Sequence, residues 1–189
     1  MEAELRSRGG RIRLARIDDI PRILQMAYGF HEDAIRPLGL GYSPADFGAY
    51  LVFLIQSPIA SVFVLEGDLE GDLEGDLEGR GIQGTIAGLI SPWFMQGSDV
   101  ILTEQWVWVE PEARGGGAFS RLLEALTQWG VGLGATKLCM VAIGSGTEEQ
   151  VREFYARRGF TYMETHFIKD LSLGSGARTG PGSGVREEE

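Results

Sequence analysis

Very little in this sequence could cross-link it, anchor it or draw it to nucleic acid. It has one cysteine, Cys139, and two histidines. A single thiol cannot close an internal disulfide, which excludes a disulfide scaffold and fits a reducing compartment. Within its apolar stretch, Cys139 reads as a small buried hydrophobe rather than a nucleophile. No apolar run reaches the length of a membrane span, and the opening MEAELRSRGG lacks the apolar core of a signal peptide, so a cytoplasmic protein is expected. Basic residues are in deficit: 17 Lys and Arg face 27 Asp and Glu. No basic stripe argues for nucleic acid.

The net charge of −10 is unevenly spread. Residues 65–79 read LEGDLEGDLEGDLEG, a four-residue repeat carrying seven acids, and Glu187 to Glu189 add three. Outside these ten, the 17 remaining acids equal the 17 basic residues, so the body of the chain is near neutral. A glycine in every unit and dense like charge make the repeat a solvated loop between two strands. Its acids lack the spacing of a calcium-binding EF-hand loop. The tail from about Gly174, GSGARTGPGSGVREEE, has the composition of a disordered segment. With 43% hydrophobic residues among 189, there is enough chain for one substantial core.

The richest stretch is Trp106 to Phe119, WVWVEPEARGGGAF. An apolar strand enters a proline-marked turn, then Arg114 and three glycines, then an amphipathic helix with Phe119, Leu122, Leu123, Leu126 and Trp129 on one face. Gly115, Gly116 and Gly117 leave backbone N–H groups bare at a helix start, where unpaired donors and the helix dipole favour an anion. Arg114 adds charge. A phosphate or pyrophosphate is the expected guest, against a strand-to-helix connection that binds nothing. The spacing excludes a P-loop, since no Lys follows the glycines, and departs from G-x-G-x-x-G, whose third glycine would fall on Ser120.

Other elements follow from periodicity. A strand near 11–14 precedes a helix capped by Asp18 or Asp19, with Pro21 in its first turn. Ser43-Pro44 opens a second helix. Strands are expected near 61–65, 82–91 and 100–109, a helix over 118–130, a buried strand over 137–143, a helix near 147–158 and a final strand over 161–169. The order, βααβββαβαβ, is an α/β mixture with a mostly antiparallel centre.

Two segments together resemble the GNAT superfamily of acyl-CoA N-acyltransferases. Val109, Pro111, Glu112, Arg114 and Gly117 follow its strand–turn–helix signature, with Phe119 where the family has a small residue. EFYARRGF at 153–160 is similar to its F-Y-x-x-x-G-F segment. The resemblance implies the GNAT fold, a central mixed, mostly antiparallel sheet flanked by helices, over residues 11–171, with residues 1–10 an N-terminal extension and 172–189 a disordered tail. It implies acetyl-CoA as cosubstrate, no metal, and a small-molecule or protein amine as acceptor, the chain acting as monomer or homodimer. Asp19-Ile20-Pro21, Glu104 before a Trp-rich strand end, PEARGGG followed by Arg121-Leu122-Leu123, and Leu133-Gly134-Ala135 are similar to GNAT proteins of tailed bacteriophages.

The same resemblance implies roles. The pyrophosphate would rest on backbone N–H groups of Arg114, Gly115, Gly116, Gly117, Ala118 and Phe119. Backbone around Val107, Trp108 and Val109 would pair with the pantetheine arm where the strand splays from its neighbour at a bulge, and polarise the acetyl carbonyl. Glu148 stands where the family often has an Asn that touches the pantetheine. Tyr155 would protonate the leaving thiolate, a phenol near about pKa 10 suiting a thiol. Glu104 is the candidate base, direct or through water, against the reading of a solvent-facing strand residue; His31 and His166 are the other candidates. Trp93, Trp106 or Trp108 and the stretch 30–43 are candidate walls of an acceptor pocket, against plain core packing. A catalytically silent GNAT-fold module and a nucleotide-binding α/β protein remain the alternatives.

Overall fold

The computed structural model describes residues 10–67, 81–142, 148–169 and 171. Residues 1–9, residues 68–79 of the acidic repeat, Ile143, and nearly all of the tail lie outside these. Five strands form one sheet in the order β1-β2-β3-β4-β5: β1 Arg11–Leu14, β2 Ala60–Glu66, β3 Ile82–Trp93, β4 Gln96–Val109 and β5 Lys137–Cys139. The first three pairings are antiparallel and β4–β5 is parallel. Helices α1 Ile20–Phe30, α2 Pro44–Gln56, α3 Ala118–Gly132 and α4 Glu148–Ala156 complete it. Among the described residues no helix is long and apolar enough to cross a membrane.

The sheet is hydrophobic on both faces, and each face has its own core. Ile23, Met26 and Ala27 of α1 and Leu51 and Leu54 of α2 pack with Val62, Val64, Ala87, Trp106 and Trp108. Leu122 and Leu126 of α3 pack with Leu65, Ile86, Ile90, Leu102 and Val109 on the other. Strand residues therefore alternate between two apolar layers rather than between core and water. The approach of α3 is close. A β-carbon at Gly88 would fall 2.7 Å from Leu126 Cδ1 and 2.8 Å from Leu102 Cδ1, so any side chain here would push these two leucine ends aside.

The helix starts differ in how they are closed. Ser43 caps α2, its Oγ accepting the Asp46 N–H at 3.3 Å. Asp19 does not cap α1 as the sequence suggested. A short 3-10 turn, Ile17–Asp19, comes first, and the Asp19 carboxylate faces back to accept from Arg16 N (2.6 Å) and the Arg13 guanidinium (2.7 and 2.9 Å). Arg13 also reaches Glu66, so one guanidinium ties β1 to β2 and to the start of α1. That pairing offsets the burial that would otherwise raise the Asp19 carboxyl, which stays below its ordinary value.

The final strand expected over 161–169 is absent: this segment is described without strand pairing and is exposed, Phe167 being 95% so. Its apolar residues, Tyr162, Met163, Phe167 and Ile168, break period-two alternation and offer no single face to bury. The strand expected over 137–143 is likewise shorter, ending at Cys139.

Candidate active site

The site grows from an irregularity in β4. Ala87 pairs with Trp106 and Gly88 with Glu104, so Gln105 has no partner across β3. This extra residue is a bulge, which bends the strand and increases its twist. On the other edge, β4 pairs with β5 only through Ile101, Leu102 and Thr103. β5 ends at Cys139, so from Glu104 to Val109 that edge has no strand partner among the described residues, and this leaves a gap beside β4, the wedge. Val107, Trp108 and Val109 lie on the opened half of β4.

Glu104 sits at the apex of the wedge. It is 5% exposed, which excludes the reading of a solvent-facing residue. Its Oε2 accepts the Val141 N–H at 3.0 Å, bridging the opening just where strand pairing stops. Burial pushes its carboxyl up to about 7, against a smaller lowering by the Val141 hydrogen bond. A carboxyl poised near neutrality is suited to accept a proton.

Tyr155 lies half-buried on α4, within reach of the Glu104 charge. Phe119, Gln150, Val151 and Phe154 share with it a cleft of about 410 Å³. Burial pushes its phenol up to about 12; the charge of Glu104 adds to the rise and Arg158 opposes it. Burial raises the Cys139 thiol, and the charges of Glu164 and then Glu104 add to the rise. Phe119, the large residue where the family signature has a small one, packs edge-on to Phe154 (5.4 Å) and Tyr155 (6.4 Å). Arg158 donates to Ser120 Oγ at 3.1 Å and lies over the Phe154 ring. The start of α3 is thus joined to α4 through rings and one guanidinium.

The glycine turn is open. Gly115 and Gly117 have φ of +90° and +79°, a backbone that glycine adopts without strain. Gly117 is the N-cap of α3 without a side-chain cap, and the first helical bond runs from Arg121 N to Gly117 O. The N–H groups of Ala118, Phe119 and Ser120 therefore lack helical acceptors. A β-carbon at Gly115, Gly116 or Gly117 would meet nothing within 4 Å, so the turn is open on its side-chain side. Arg114 is more occupied than its sequence position suggested. Its N–H donates to Pro111 O (3.2 Å), its Nε donates to Val109 O (3.0 Å), and its guanidinium lies 4.6 Å from the Trp108 ring. Glu148 opens α4; its side chain is outside the described set.

Trp106 and Trp108 are core residues, edge-on to Phe30, and Trp108 Nε1 donates to Glu110 at 3.1 Å. The buried Trp106 Nε1 has no acceptor among the described residues. Trp93 packs at a tilt against Phe94 by the β3–β4 turn. His31 ties down the connection after α1: Nε2 bonds Leu40 O (2.9 Å), and Nδ1 lies 3.3 Å from Glu32. His166 is on the exposed segment after α4, 3.1 Å from Glu164. The sequence reading missed Gln105 and its tie to Tyr50, whose hydroxyl donates to Gln105 Oε1 at 2.5 Å. The aromatic spacing of Tyr42, Phe47 and Tyr50 was the available signal.

The model of the Acetyltransferase (GNAT) family matches residues 61–160, more than half of the chain, and the chain belongs to this family. A search of curated proteins finds no match. Solved structures share the fold. A tetramutant of a Bacillus halodurans protein is 17% identical with a TM-score of 0.66, over 85% of this chain and 99% of that one. A Trypanosoma brucei acetyltransferase is 20% identical with a TM-score of 0.60, over 85% and 98%. Glucosamine-6-phosphate N-acetyltransferase from Arabidopsis thaliana is 16% identical with a TM-score of 0.59, over 85% and 97%. At these identities the likeness is one of fold.

Proposed function

We propose that this chain transfers an acetyl group from acetyl-CoA directly to a primary amine within a ternary complex. The observation that carries the reading is the buried Glu104 carboxyl at the apex of the β4–β5 wedge, held by the Val141 N–H. The surrounding backbone fits the cosubstrate. Donors at the 115–120 turn suit a pyrophosphate, and the edge of β4 from Glu104 to Val109, which lacks a strand partner among the described residues and has its Val109 carbonyl taken by Arg114, suits an amide-bearing arm. Val107, Trp108 and Val109 supply that edge, with a backbone N–H to polarise the acetyl carbonyl.

Acetyl-CoA supplies an acyl group already activated as a thioester. Glu104 takes a proton from the attacking amine, directly or through water. The new N–C bond forms as the C–S bond breaks, and Tyr155 gives its proton to the departing sulfur. The two side chains are coupled. When Glu104 accepts the proton it loses the charge that helps to hold the Tyr155 proton, so the base step readies the acid. Thiol release from acetyl-CoA across a panel of amines tests the reading: release that depends on an amine and falls sharply in Glu104→Gln supports it.

A second reading is favoured by Phe119. Its ring against Tyr155 fills space that a small residue would leave, as in a silent module that binds CoA without turning it over. Tight CoA binding with no turnover on any amine would select that reading. The acceptor, a bacteriophage source and a cytoplasmic location rest on sequence resemblance and composition alone.

A further inference from the structure

A second cleft lies on the other side of the bulge. It encloses about 590 Å³ between Tyr42 and the first turns of α2, lined by Tyr42, Phe47, Tyr50 and Asp46 with Gly41 and Ser43. Three aromatic rings run through it in sequence, Tyr42 to Phe47 at 6.3 Å and Phe47 to Tyr50 at 6.5 Å between centroids. Both tyrosine hydroxyls are committed elsewhere, Tyr42 to Leu24 O (2.8 Å) and Tyr50 to Gln105 Oε1. The rings are therefore fixed, and their hydroxyls are spent on the protein. Burial raises both phenols above their ordinary value, and Asp46 is the acidic side chain that lines the cleft. Asp46 is exposed and has no ion-pair partner among the described residues. The Tyr50–Gln105 bond joins this cleft to the residue beside Glu104.

We propose that the cleft of Tyr42, Phe47, Tyr50 and Asp46 holds the second, protonated amine of an aliphatic diamine or polyamine acceptor. This rests on the acetyltransferase reading for the identity of the reacting end. The reacting nitrogen must be neutral to attack, so a cleft that selects positive charge must hold a different nitrogen. Fixed aromatic rings attract an ammonium through their electron-rich faces and accept methylenes along their apolar surface, and one carboxylate completes the match. A monoamine has nothing to place there.

Calorimetry of the full chain saturated with CoA tests this, with spermidine and butylamine as titrants. Spermidine should bind about tenfold or more tightly than butylamine. Asp46→Asn and Tyr50→Leu should each erase most of that difference. Tyr50→Phe, which keeps the ring, should retain most of it. All three should bind CoA as the wild type does. Equal affinity for the two amines, no binding of either, or an unchanged preference in Asp46→Asn would overturn the proposal. Its failure is separable from that of the enzyme reading. Thiol release with butylamine but no diamine preference would reject the cleft alone. Spermidine binding that depends on Asp46, without thiol release from any amine, would keep the cleft and reject the transferase.

Discussion

The backbone N–H of Val141 donates to the Glu104 carboxylate across the mouth of the β4–β5 wedge, at 3.0 Å. That one bond is all that the described protein offers a buried carboxylate whose burial holds its proton on to about 7, from an ordinary 4.5. The folded chain thus binds this proton more tightly than the unfolded chain. Its contribution to stability is complete below the unfolded value and is lost as pH rises through about 7. The full shift corresponds to roughly 3 kcal/mol at most. Glu104→Gln keeps an acceptor for Val141 and has no charge to bury. It should match wild-type stability near about pH 5 and exceed it by up to a few kcal/mol near about pH 8.5. Denaturant melts at the two pH values check this; equal stability at both would show that Glu104 is solvated. The variant should also lose the limb of kcat/KM that rises through neutrality in the wild type.

The bulge can be removed without turning either strand over. Leu102 faces the α3 core and Trp106 the α1–α2 core, and Gly88 and Ala87 already pair with Glu104 and Trp106. Deleting Gln105 therefore leaves regular alternation and both hydrophobic layers intact. The deletion should fold with a melting temperature close to that of wild type. Acetyl-CoA affinity by calorimetry should fall at least about tenfold, because a straightened β4 narrows the wedge. Retained affinity would show that the bulge does not make the site.

At the turn, Gly117 combines a positive φ with open space where a side chain would stand. Gly117→Asp places a carboxylate where a pyrophosphate is expected; Gly117→Asn carries a similar shape and backbone strain without charge. Strain at such a residue costs about 1–2 kcal/mol in either variant. Acetyl-CoA binding should be lost in Gly117→Asp and only weakened in Gly117→Asn. Equal binding by both would mean that no anion rests on this turn.

The acidic repeat should be replaceable. Its two ends are already held together, Glu66 pairing with Ile82 and Gly67 N donating to Gly81 O at 2.6 Å. A two-residue Asn-Gly turn in place of 68–80 would close a hairpin whose register is set. Melting temperature and acetyl-CoA affinity should stay nearly unchanged. A marked fall in either would assign the repeat a packing or binding role.

What could be read from sequence follows how locally each feature is encoded. Helix α3 was legible because Leu122, Leu123 and Leu126 repeat with its period, and the glycine turn because Gly115 to Gly117 have no other reason to adjoin. The bulge was not. Gln105 sits between Glu104 and Trp106 with nothing local to mark it as extra; the pairing of β3 makes it so. The burial of Glu104 was equally hidden, since Thr103 and Gln105 beside it are polar and only the wedge and Val141 enclose it. At 161–169 single apolar residues suggested a strand, but their spacing gives no face to bury.

Tyr155 offers the sharpest test of mechanism. Phenylalanine keeps the ring in its contacts with Phe119, Phe154 and Phe160 and removes the one proton the side chain can donate. With its phenol pushed up to about 12, the wild-type residue carries that proton at any working pH. General-acid assistance is typically worth about 10²–10⁴-fold, so Tyr155→Phe should lose that order in rate while binding acetyl-CoA normally. A slow product-release step would mask the loss in steady state, so the rate must be read in a single turnover. The pH dependence adds a second readout. The departing sulfur must then take its proton from solvent, and the single-turnover rate of Tyr155→Phe should fall more steeply with rising pH than that of the wild type. A wild-type rate with a wild-type pH profile would leave Tyr155 as packing, and the proton for the thiolate would have to come from water in the wedge.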